Sequence, residues 1–101
     1  DGNTTVAGVL TAGNIITGTT TITPSAAHTP TSASVSFPAL KGTTFRGYAT
    51  AATSVPGVRT PAGGAGVTGV GVTSVTSTGM LVWVNRENTT ATVVNWMVIA
   101  S

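Results

Sequence analysis

The sequence predicts an all-β chain: a small antiparallel β-sandwich, preceded by a short glycine-punctuated segment and covered in part by other chains. Three observations lead there. Thr occurs 22 times among the 101 residues, and Val and Ile raise the β-branched total to 40, while Leu, Glu, Lys and Gln together supply five. Branched side chains are stiff at χ1 and pack well on a pleated sheet, whereas the scarce types are those that lose least in a helix. Only 6% of the residues are charged, against roughly 25% in an average soluble domain, and the mean hydropathy is +0.37. So few charges imply an exterior solvated by Thr and Ser hydroxyls, partly covered by other chains. Finally, the two segments nearest the C-terminal end are apolar on both strand faces.

Residues 1–18 (DGNTTVAGVLTAGNIITG) place glycines at 2, 8, 13 and 18 between the short apolar pieces Val9-Leu10 and Ile15-Ile16. Glycine at such regular turns lets very short strands reverse without a core of their own. This segment reads as the end of a fibrous shaft or a linker, and residues 19–101 as the sandwich. The chain starts at Asp1 with no basic or signal-like stretch, so it reads as a piece of a longer protein.

From Thr19 the pattern becomes strand, turn, strand. Thr19 to Thr23 is a short strand closed by Pro24. A Pro-containing loop, Thr29 to Ser32, follows. Ala33, Val35 and Phe37 alternate with Ser34 and Ser36, the mark of a strand buried on one face. Thr43 to Thr50 is a third strand, carrying Phe45 and Tyr48. Residues 51–66 hold two prolines and four glycines and read as a long surface loop. Val67 to Val75 resumes the β pattern, and Ser77-Thr78-Gly79 forms a turn. In the fifth strand Met80, Val82 and Val84 share one face while Leu81 and Trp83 share the other. In the sixth, Thr90 to Ala100, Val93, Met97 and Ile99 oppose Val94, Trp96 and Val98. One sandwich core covers one face of each sheet, so the second apolar face calls for another chain. The polar stretch Arg86 to Thr89 reads as a hairpin loop joining these two strands antiparallel.

Catalytic chemistry finds little material. Hydrolysis of a glycosidic bond usually needs two flanking carboxylates, and the chain owns only Asp1 and Glu87. His28, the one histidine, lies in the loop AAHTP with no carboxylate nearby in sequence, which argues against a Ser-His-acid arrangement. No cofactor and no metal are expected, and there are no cysteines for thiolate chemistry. The stretch GVRTPAGGAGVTGVG lacks the Gly-Lys-Ser/Thr ending of a phosphate loop. The formal charge of +2 is scattered over Lys41, Arg46, Arg59 and Arg86, so no nucleic-acid footprint is expected. The longest nearly apolar run, Val93 to Ala100, is too short to cross a bilayer as a helix, and no membrane insertion is expected. The reading is therefore a non-enzyme.

Surface recognition uses aromatic faces beside a few polar groups. Tyr48 shares strand parity with Arg46, so ring and guanidinium stand side by side; with Arg59 in the long loop, and with His28, they make the expected receptor-binding set. Trp83, Trp96, Val94, Val98 and Met97 sit in the doubly apolar strands and are expected to pack in the core or between subunits.

The segments GVLTAGNIITGTTTITP, SVSFP and SVTSTGMLVWVNRENTTATVVNWMVIAS resemble the C-terminal knob of bacteriophage tail-fibre and minor structural proteins, which is similar in architecture to the H-type lectins. The resemblance runs from Gly8 to Ser101 and is strongest from Thr76 to Ile99. It implies a six-stranded antiparallel sandwich, a homotrimer, a place on a virion appendage such as a tail fibre, and binding to a bacterial surface glycan or wall polysaccharide. It also implies that Gly79 opens the penultimate strand, that Arg86, Asn88 and Thr89 shape a hairpin, and that Trp96 anchors the last strand. A knob that only trimerises, caps the shaft or decorates the virion fits the same residues.

Overall fold

A computed structural model describes residues 14–53 and 66–101 of the chain. Six strands account for nearly all regular structure among them: β1 (Ile15–Ile22), β2 (Thr31–Ser36), β3 (Phe45–Ala52), β4 (Val67–Thr73), β5 (Gly79–Arg86) and β6 (Thr92–Ala100). They form two three-stranded antiparallel sheets, ordered β1-β6-β3 and β2-β5-β4. The all-β expectation holds, with six strands among the described residues. Residues 15–18, assigned by the sequence to the shaft segment, are the first half of β1; residues 1–13 lie outside the described residues. Ala51 and Ala52, read as the start of the long loop, still belong to β3.

One pairing departs from expectation. β5 and β6 do not form a hairpin; each is the central strand of a different sheet. The reason lies in their alternation, since Met80, Val82 and Val84 of β5 and Val94, Trp96 and Val98 of β6 are all buried. Side by side they would leave one sheet rich in buried side chains and the other without a central apolar strand. Set in opposite layers, they face each other across the core, each flanked by two strands with fewer large side chains.

Arg86 secures the step from one layer to the other. Its side chain is 1% exposed, with Nε donating to Asn88 Oδ1 at 2.7 Å and Nη1 to Thr92 Oγ1 at 2.8 Å. The segment expected to shape a hairpin thus braces a crossover. Two backbone bonds gather other loops at the same end: His28 N–H donates to the Arg86 carbonyl at 2.7 Å and Glu87 N–H to the Gly66 carbonyl at 2.9 Å. At the opposite end Thr76 Oγ1 accepts from Gly79 N–H at 3.1 Å and closes the turn before β5.

The core comprises Ile22, Val35, Phe37, Leu40, Met80, Val82, Val84, Val94, Trp96, Val98 and Ala100. Trp96 is its largest member, its ring 5.8 Å from that of Phe37 and tilted by 34°. Gly18 pairs with Trp96 across β1 and β6, and a Cβ at Gly18 would run into the indole. Gly18→Ala should therefore destabilise the domain by about 1–3 kcal/mol through overpacking. Chemical denaturation would measure it; an unchanged midpoint would show that the ring is not seated against β1.

Candidate functional site

Strand alternation gives the β1-β6-β3 sheet an outer face whose rows follow from the register. Ile15, Ile99 and Arg46 form one row. Thr17, Met97 and Tyr48 form the next, then Thr19, Asn95 and Thr50, then Thr21, Val93 and Ala52. The third row carries only short polar side chains, beside the larger Met97 and Tyr48 of the second. Its consequence is an open depression of about 450 Å³, lined by Thr17, Thr19, Tyr48, Thr50, Asn95 and Met97. Gly18, Ala49 and Trp96, paired with one another across the sheet, complete the lining.

The chemistry of this depression is neutral. Three threonine hydroxyls and the Asn95 amide can donate and accept, and the Tyr48 phenol can do both from an aromatic body. Tyr48 is 47% exposed, one of two exposed large hydrophobic side chains among the described residues, the other being Val93 at 40%. Arg46 stands one row beyond Tyr48 on the same face, its Nη1 donating to Ser101 Oγ at 3.2 Å. A neutral polar ligand with some apolar surface suits such a lining.

The structure brings Arg46 and Tyr48 together on one face and puts His28 at the opposite end of the sandwich, with the β1–β2 loop. His28 is exposed and has a left-handed backbone, φ 60°. Arg59 lies outside the described residues. Of the packing residues, Trp96, Val94 and Val98 point into the core, whereas Met97 is half-buried on the outer face of its sheet and Trp83 half-buried on the outer face of the other. Among the described residues no group of three His, Asp or Glu side chains is placed to hold a metal ion.

Asn95, Thr17, Thr19 and Thr50 were not singled out by the sequence. Asn95 alone left a signal, as the one polar interruption in the apolar run of β6. The threonines could be recognised only once the register set them beside it.

No family model, curated protein or solved structure matches the chain.

Proposed function

We propose that the chain is a non-catalytic recognition module, one third of a trimeric knob on a phage tail fibre or similar virion appendage, which holds a neutral bacterial surface glycan in the depression of the β6 sheet. The observation supporting this most directly is the exposed Tyr48 ring beside Asn95 and the threonines in an uncharged hollow. A sugar offers hydroxyls for the amide and the threonines, and C–H surface for the ring. The place on a virion and the number three rest on the sequence resemblance.

Tyr48→Ala combined with Asn95→Ala should weaken binding to bacterial cells or isolated wall polysaccharide by about 2 kcal/mol or more, from one aromatic contact and one hydrogen bond. Neither side chain belongs to the core, so the thermal midpoint should hardly move. Undiminished binding by the folded double variant would overturn this reading.

The alternative, a knob that only assembles, is favoured by a different feature. On the outer side of β6, Val93 is exposed and Met97 and Ile99 are half-buried. In our proposal neighbouring copies pack along these residues and border the depression. Val93→Lys should then lower the molar mass in solution towards that of a single chain, because a charge would be buried at the contact. A wild-type domain that is already monomeric at high concentration would refute the trimer.

A further inference from the structure

The outer face of the β2-β5-β4 sheet presents a second arrangement that the preceding reading does not use. The register sets Ser32, Trp83 and Gly71 in one row and Ser34, Leu81 and Thr73 in the next. Trp83 is half-buried, and its indole Nε1–H donates to Thr73 Oγ1 at 2.7 Å. That bond satisfies the polar edge of the ring within the chain and restrains its rotation. Beside the ring the ground is empty, since a Cβ at Gly69 or Gly71 would meet nothing within 4 Å. Neither glycine needs a left-handed backbone and neither is crowded; Gly69 follows a register irregularity in β4, so Gly71 is the one that neither conformation nor packing accounts for. Its lack of a side chain leaves open the place on β4 directly across from Trp83, next to the Thr73 that tethers the ring. On the other flank Ser32, Ser34 and Ser36 are exposed.

We propose that Trp83 is a stacking platform for one neutral pyranose ring, separate from the depression on the other sheet. A tethered aromatic plane with open space on one flank and hydroxyls on the other suits a ring that is apolar on one face and edged with hydroxyls. β-Galactosides have such a ring, with several C–H bonds gathered on one side. The face carries no charged side chain among the described residues, which disfavours acidic sugars and phosphates as the preferred ligand. A protein partner fits less well. Among the described residues Leu81 and Trp83 are the only large apolar side chains there, set among serines and glycines, whereas a stable protein interface covers about 800 Å² per partner around a packed aromatic and aliphatic centre. With one ligand position on each sheet, one domain could engage two sugars of the same polysaccharide, and avidity would rise without any new contact.

The test uses the full chain and methyl β-galactoside, followed through the two indole N–H resonances in a nitrogen-15 correlation spectrum. The Trp83 resonance is assigned by its loss in Trp83→Phe. Titration should shift the Trp83 signal and leave that of Trp96, deep in the core, in place. Gly71→Gln should keep the fold, because its side chain enters open space, yet weaken binding on the order of tenfold by covering the flank of the ring. Tyr48→Ala with Asn95→Ala should leave this binding intact, so loss of either reading does not entail loss of the other. Three results would each overturn the platform: a Trp83 resonance indifferent to the galactoside, a Gly71→Gln variant that binds it as well as wild type, or a molar mass that falls in Gly71→Gln while the sugar has no effect. The last would mean that a second copy of the chain occupies this face.

Discussion

Replacing Trp96 with Ala is expected to remove about 3–5 kcal/mol of folding stability, the usual result of deleting a large buried aromatic. Trp96 is 8% exposed, stacks near Phe37 and fills the space that Gly18 leaves on β1. A small domain has roughly 5–15 kcal/mol in all, so the variant should unfold at markedly lower urea concentration or fail to accumulate. Trp96→Phe discriminates further. The Trp96 Nε1–H is buried without a hydrogen-bond partner, and Phe removes that orphaned donor along with part of the ring. The loss should therefore be well below that of Ala, because an unsatisfied buried donor costs about 1–3 kcal/mol. A Phe variant as unstable as the Ala variant would show that the indole makes a bond after all.

Replacing Arg86 with Ala is expected to cost about 3 kcal/mol or more. Hydrogen bonds from a charged donor contribute roughly 1.5–3 kcal/mol each, and this side chain makes such bonds to Asn88 and Thr92 from a fully buried position. Its removal leaves a cavity and acceptors without their donor at the point where the chain changes sheets. Urea denaturation of Arg86→Ala, Thr92→Ala and the double variant would isolate the pairwise term, expected at about 0.5–3 kcal/mol for residues in one network. Additive losses would mean that the two side chains act independently.

Much of the fold was legible because composition and period-two alternation report directly on strands. The six segments were found, and the faces of β5 and β6 were divided correctly, Met80, Val82 and Val84 from Leu81 and Trp83, and Val94, Trp96 and Val98 from Val93, Met97 and Ile99. What alternation cannot report is which strand lies beside which. The short polar link 87–91 looks alike whether it turns a hairpin or crosses between layers, and the deciding group, a buried arginine, is of a type normally found at the surface. The start of β1 was missed for a related reason. Gly18 reads as a breaker in isolation and becomes a strand residue only when Trp96 lies against it. Of the side chains that line the depression, the sequence singled out Tyr48 for recognition; Thr50 shares its strand and face, whereas Thr17 and Thr19 join them only through pairing with β6.

The placement of β6 also sets the order in which the domain can come together. In the register Ile15 meets Ile99 and Phe45 meets Ala100, so among the described residues neither β1 nor β3 has a partner in its sheet until β6 has been made. Pairing of this kind closes long loops before any contact rewards them, which slows folding. On the ribosome, β1 and β3 would wait with unsatisfied edges while β2, β4 and β5 could already associate. The protein would thus be most exposed to misassembly just before β6 emerges, and truncation within β6 should abolish folding altogether rather than merely weaken it.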